Sequence, residues 1–306
     1  MNLDDLLGST DSVLATAPEV PEVLTTKIPC PGVGIFHNIP ASLYHSWDCM
    51  SSTFVKAYSV NPYAAKYKPF TGSPAADLGS GCHSFCLEGR DAFNKEFFVM
   101  EDIPCPAGQN PKGWKNTNLY KEKAAAILSE VDGRTILTHE QYTDILGIDK
   151  SLREHPISSK ILNRGFNELS LVFLHEESGL LVKARLDDYF EGIPSDLKTC
   201  NDVAWFHRDL YKRRYNLQGG LYSMACEANG LPVNYFCFLA AQTTETYPVR
   251  CGYIEPERLE QAKAEVTRML GLIKESQERD YWPNFAPPPL IHSWDQMTPS
   301  DLLEEF

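Results

Sequence analysis

Two carboxylates and an ammonium, Asp187, Asp196 and Lys198, are the residues of this 306-residue chain whose types and spacing could do hydrolytic chemistry. Successive side chains of a strand point to opposite faces. From Leu180 to Asp188 the even positions Leu180, Val182, Ala184 and Leu186 form an apolar face, while Lys183, Arg185, Asp187 and Tyr189 share the other. After the Gly192-Ile193-Pro194 turn, Asp196 and Lys198 stand at i and i+2, on the face opposite Leu197 and Thr199. Hard oxygen ligands beside a fixed cation suit phosphodiester hydrolysis. Carboxylates hold Mg²⁺, the metal activates a water and neutralises developing charge, and a lysine positions that water or stabilises the oxyanion. A D-x-K triplet alone is common, and a surface ion pair at a strand end is its alternative reading.

The elements that must position these groups are marked by periodicity. Phe166–His175 and residues 180–190 read as a strand pair around the turn at residues 176–179, with Glu168 at the entry of the first. Strands at residues 233–241 and 249–254 are expected to complete a mixed sheet. A helix over residues 256–279 covers it with Leu259, Ala262, Val266, Met269 and Ile273. Upstream, Ser51-Ser52-Thr53 caps a helix that Pro62 interrupts. Residues 75–89 form a helix with Leu78, Cys82, Phe85 and Cys86 inward; there His83 is as readily a core histidine as a ligand. Helices follow at residues 117–130 and 139–154, the second announced by the Thr138 and Gln141 capping box, and residues 104–116 are a connector.

Beyond Lys198, helices over residues 203–211 and 213–229 would place Tyr211, Arg214, Tyr215, Gln218 and Tyr222 on one stripe. A glutamine among aromatics, after the basic run Lys212-Arg213-Arg214, suggests a face that meets phosphate or bases, although aromatic stripes are usually packing. Gly219-Gly220 within that helix costs about 1 kcal/mol apiece against alanine, which close approach of a strand or DNA would justify.

The order of these motifs resembles the RecB-type branch of the PD-(D/E)xK nucleases, and within it the RecE-like (exodeoxyribonuclease VIII) exonucleases of phages and prophages. The carrying residues are Gly79 to His83 (G-x-x-x-H), Glu168 to Ser170 (E-L-S), Arg185 with Asp187 (R-x-D), Asp196 to Thr199 (D-L-K-T), and Tyr215, Gln218 and Tyr222 (Y-x-x-Q-x-x-x-Y). The S-S-x-x-x-K run from Ser51 to Lys56 is also similar to the opening of that family. One departure is Leu186, where the family has proline. The resemblance implies an α/β PD-(D/E)xK core, a central mixed sheet flanked by helices, with an N-terminal helical portion. It implies Mg²⁺, with Mn²⁺ as a substitute, held by His83, Asp187, Asp196 and the backbone carbonyl of Leu197. Glu168 is either a further ligand or a hydrogen-bond anchor. Asp187, Asp196 and Lys198 would be catalytic, while Gln218, Tyr222, Tyr215, Arg214, Arg213 and Lys212 would contact DNA.

Composition is that of an ordinary globular protein, 43% hydrophobic and 23% charged. The net charge of −13 is concentrated at the ends: residues 1–25 hold five acids, residues 284–306 hold four, and neither stretch has a Lys or Arg. The basic run beside the motif can still grip phosphates, because potential acts within a Debye length. Nine cysteines without a C-x-x-C pair signal neither a zinc knuckle nor an iron–sulfur cluster. No apolar run reaches a membrane span, and the start lacks a signal-peptide pattern, so a cytoplasmic protein is expected.

The domain plan is therefore a flexible acidic lead-in (1–30), one nuclease domain (31–285) and an acidic, proline-containing tail (286–306). By resemblance the protein degrades linear double-stranded DNA from the 5′ end, leaving 3′ single strands for a recombination partner such as a single-strand annealing protein. A homo-oligomeric ring is the family's route to processivity. Alternatives are an endonuclease or nickase with the same site, or a non-catalytic protein that binds DNA ends or a partner.

Overall fold

The computed structural model describes residues 27–68, 72–285 and 287. The expected lead-in up to residue 26, and all of the expected tail except Pro287, lie outside the described residues. The chain runs β1 (Gly34–Phe36), α1 (Ala41–Ser46), β2 (Met50–Ser51), α2 (Ser52–Val60), α3 (Pro62–Tyr67) and α4 (Pro74–His83). A π-helical turn (Ser84–Glu88), α5 (Arg90–Glu96), β3 (Phe97–Met100), α6 (Asn118–Leu128), β4 (Thr135–Thr138), α7 (His139–Glu154) and α8 (Ser158–Arg164) follow. Then come β5 (Phe166–His175), β6 (Leu180–Phe190), β7 (Ile193–Cys200), a 3₁₀ turn (Val203–Trp205), α9 (Phe206–Lys212), α10 (Tyr215–Ala228), β8 (Phe236–Gln242), β9 (Val249–Ile254) and α11 (Pro256–Arg279).

These elements build the expected mixed sheet flanked by helices. Its strand order is β1-β5-β6-β7-β8-β9, with β2 added parallel to β6; β7 and β8 are parallel, and the other neighbours along the order are antiparallel. One face buries Val182, Ala184 and Leu186 of β6 and Phe236, Phe238 and Ala240 of β8 against α2, α10 and α11. The α11 stripe Leu259, Ala262, Val266, Met269 and Ile273 recurs at helical spacing, which is why a strongly polar helix docks by one side only. The other face packs Leu197, Leu239 and Ala241 against Cys82, Phe93, Ile145, Ile148 and Leu152. Helix α7 starts at the Thr138/Gln141 capping box.

The small parallel pair β3–β4 was not expected, because four residues of strand carry too little alternation to read. A disulfide joins Cys30 to Cys49, with Cα atoms 5.6 Å apart, and staples the segment before β1 to the α1–β2 connection. Among the described residues no helix is long and apolar enough to cross a membrane.

Candidate active site

The sheet splits where the carboxylates sit. β6 pairs with β5 from Leu180 to Tyr189 with one gap, but meets β7 only between Asp188–Phe190 and Ile193–Ser195. Its opposite end is covered on that edge by β2, at Val182 and Lys183. Between these contacts β6 and β7 diverge, and Asp187 Oδ2 accepts the Leu197 N–H at 2.7 Å where a ladder bond would otherwise run. Glu168 opposite has φ of 55°, and the Glu168–Asp187 pair is missing from the ladder. A non-glycine residue at positive φ stores strain that its surroundings must offset. Here the irregularity also breaks the expected alternation: Tyr189 does not share the face of Asp187 but is buried in the main core and donates to Pro232 O at 2.8 Å.

A cavity of about 1100 Å³ opens at the split. The C-terminus of α4 brings His83 to it, with Nδ1 3.2 Å from Asp187 Oδ2 and Nε2 2.7 Å from Leu197 O. Both partners are acceptors, so with no metal bound both ring nitrogens are placed to donate, and His83 would act as a ligand only on giving up a proton. Burial alone would lower its pKa, but the Asp187 carboxylate outweighs this and pushes it up to about 9. Burial likewise works to raise Asp187, yet His83, Lys198 and the Leu197 amide hold it below the usual carboxylate range. Glu168 pairs with Arg185, which also donates to Ile39 O at 2.9 Å. Burial and the charge of Asp187 push Glu168 up to about 7.

Across the split, Asp196 is ion-paired with Lys198 and accepts a hydrogen bond from Gln218 Nε2. Asp196 lies above its usual pKa, because burial and Asp187 outweigh the Lys198 charge. The Gln218 carbonyl accepts from Lys56 Nζ at 2.6 Å, so Lys56 sets which end of the amide faces Asp196. Lys56 and Lys198 both lie 5.2 Å from the centroid of the Tyr215 ring. Burial, with Lys198 nearby, pushes Lys56 down to about 8.

The donor set fits a divalent cation. One ligand atom each of His83, Glu168 and Asp187 lie within 4.8 Å of one another. Asp196 Oδ2 faces Lys198 Nζ and its Oδ1 the Gln218 amide, so this carboxylate would reach a bound ion only by sharing it with Lys198. The imidazolium already marks a position that attracts positive charge. Oxygen donors with a single imidazole suit Mg²⁺ or Mn²⁺ better than a thiophilic ion.

The structure brings Asp187, Asp196, Lys198, His83, Leu197, Glu168, Tyr215, Gln218, Tyr222 and Arg213 to this one cavity, whereas Lys212 and Arg214 do not line it. Gln218 and Tyr222, expected to hold DNA, are only 4% and 7% exposed, and Gln218 spends both ends of its amide on Asp196 and Lys56. The expected five-residue stripe is broken: α9 ends at Lys212, and Arg214, at φ 57°, stands just before α10, leaving Tyr211 exposed on α9 and hydrogen-bonded to Arg258 at 2.7 Å. The two glycines answer to packing and not to DNA. A Cβ on Gly219 would stand 2.6 Å from Ile254 Cδ1, and one on Gly220 2.8 Å from the backbone of Ala262 in α11. Sequence reasoning assigned no role to Lys56. The available signal was the S-S-x-x-x-K run that ends at it.

Comparison with known proteins agrees with this architecture. The family described as a PDDEXK-like domain of unknown function (DUF3799) matches residues 48–286. No curated protein matches the chain. Among solved structures, a candidate exonuclease from Eubacterium rectale superimposes with a TM-score of 0.56 at 16% identity, covering 84% of this chain and 92% of that one. At that identity the likeness is one of fold.

Proposed function

The chain belongs to this PDDEXK-like family and has the core of the PD-(D/E)xK nucleases, and from that premise we propose that it is a metal-dependent deoxyribonuclease, an exonuclease of the RecE-like type. The observation that carries the reading is the convergence of Asp187 and Asp196, from two diverging strands, on one cavity with His83 and Lys198. Asp187, Glu168, His83, Asp196 and the Leu197 carbonyl would hold Mg²⁺, or Mn²⁺ in its place. The bound ion would supply Lewis-acid charge and an acidified water.

The chain's own residues divide the remaining work. Lys198, held by Asp196, provides a preorganised ammonium for the water or the developing oxyanion. Gln218, oriented by Lys56, fixes the Asp196 carboxylate. Arg213, at the cavity rim, supplies charge for a phosphate. The substrate of this proposal is linear double-stranded DNA, digested from the 5′ end to leave 3′ single strands for an annealing partner, by a ring of subunits.

The test is incubation with end-labelled linear and circular duplex, with and without Mg²⁺. Metal-dependent loss of linear DNA only, starting from the 5′ label, is expected. Nicking of circles would replace the exonuclease reading with an endonuclease one, and binding without cleavage would remove catalysis altogether.

A further inference from the structure

Helix α9 and the 3₁₀ turn before it form the wall between the catalytic cavity and a second, smaller pocket. Thr199, Cys200 and Asn201 before this segment, and Arg213 after it, line the catalytic cavity. Its middle lines a pocket of about 150 Å³, bounded by Phe206, Phe238, Gly252 and Tyr253, with His207 and Arg250 as its polar groups. A Cβ on Gly252 would meet nothing within 4 Å, so the floor of this pocket is open space.

The rim is unusual for a protein surface facing water. Trp205 does not line the pocket but adjoins it through His207, with ring centroids 5.8 Å apart; it is 51% exposed and carries the Arg208 guanidinium 3.9 Å from its ring centroid. Tyr253 is exposed beside Tyr235, with ring centroids 5.0 Å apart. The nearby acids are already engaged: Asp209 faces Arg213 at 3.6 Å, and Asp202 accepts the Ala204 N–H at 2.8 Å. Arg208 and Arg250 make no ion pair among the described residues. Exposed aromatic rings beside guanidinium groups that make no ion pair are what stacked bases and their phosphates require. A duplex hides its base faces, so only an unpaired strand can use them.

We infer that the Trp205–Tyr253 face is a binding platform for single-stranded DNA, receiving the unpaired strand as it leaves the catalytic cavity around α9. Trp205 stacks one base, the Tyr253 pocket takes another, and Arg208 and Arg250 meet the phosphates between them. The choice of nucleic acid rests on the nuclease reading; the platform's chemistry rests on its own residues.

The experiment uses the full chain in a metal chelator with fluorescein-labelled oligothymidylate, read by anisotropy. Trp205→Ala and Tyr253→Ala should each weaken binding on the order of tenfold, the scale of losing one stacked base, and Trp205→Phe should recover most of it. Binding of a blunt hairpin duplex and metal-dependent hydrolysis of bis(p-nitrophenyl) phosphate should stay at the parental level. The platform is refuted if the parent does not bind oligothymidylate, or if both alanine variants bind it as the parent does. It is also refuted if Trp205→Ala changes the sedimentation coefficient, since the face would then be a contact between copies along the β9 edge. Absence of hydrolysis in the parent with Trp205-dependent binding intact would remove the nuclease reading and leave the platform standing.

Discussion

The two banks of the split hold the same side chain in different company. On the β6 bank Asp187 faces an imidazolium at 3.2 Å and takes a backbone N–H at 2.7 Å, and it lies within one donor group with His83 and Glu168. On the β7 bank Asp196 is held by an ammonium and an amide, outside that group. Burial opposes ionisation on both banks, but the cations prevail at Asp187 and do not at Asp196. The difference teaches that the β6 bank has the donors that would seat a cation, whereas the β7 bank holds a cation of its own, Lys198, against the same space.

The largest effect expected from this contrast is on metal binding and turnover together. Asp187→Asn should weaken Mg²⁺ binding in calorimetry by on the order of 10²-fold and reduce cleavage by on the order of 10³-fold, whereas Asp196→Asn should cost metal affinity only about tenfold. Equal losses of affinity would erase the distinction between the banks.

Lys198→Ala sharpens it from the other side. An ammonium cannot ligate a cation, so single-turnover cleavage should fall by about 10²-fold while Mg²⁺ affinity changes little. Lys198→Arg should rescue only partly, because a planar guanidinium places its donors differently. Parental cleavage by Lys198→Ala would show the D-L-K-T run to be a strand-end ion pair and nothing more.

Smaller again is the supporting contact behind Asp196. Lys56→Met leaves Gln218 free to flip, and about a tenfold loss of rate with unchanged DNA affinity is expected. A loss confined to DNA affinity would make Lys56 a phosphate contact instead.

The smallest effect concerns stability next to the β6 bank. Asp188 is fully buried, neither of its oxygens has a hydrogen-bond partner among the described residues, and burial with Asp187 alongside pushes its pKa up to about 8. A folded pKa above the unfolded one contributes stability that is fully present below the unfolded value near 4 and is lost as pH rises through about 8. Asp188→Asn should therefore raise the melting temperature by several degrees at about pH 9 and by much less at about pH 4. A uniform shift at both pH values would mean that Asp188 titrates alike in the folded and unfolded chain, with no raised pKa.

Much of this architecture can be read along the chain, because its long elements bury one face and their periods are unambiguous. Strand β6 over residues 180–190, strand β5 over residues 166–175 and helix α11 over residues 256–279 have the bounds their patterns predict. The capping box at Thr138 locates the start of α7. Short elements carry no such signal: the two residues of β2 and the four each of β3 and β4 show no period at all. Tyr189 misled the alternation because the irregularity lies on the partner strand, at Glu168, and leaves no mark in its own sequence.

The sequence by itself determined the reactive inventory: Asp187 on one strand, Asp196 and Lys198 two apart on the next, and His83 within an upstream helix. Local spacing is enough for that, since strand and helix periods are set by the backbone. Only the tertiary structure decided that β6 and β7 part company between Asp187 and Asp196, that His83 crosses to bridge Asp187 and the Leu197 carbonyl, and that Lys56 reaches Gln218 from a position 162 residues earlier in the chain. These are contacts between elements far apart in sequence, and their geometry follows from how two apolar faces pack on one sheet. No local pattern encodes that packing.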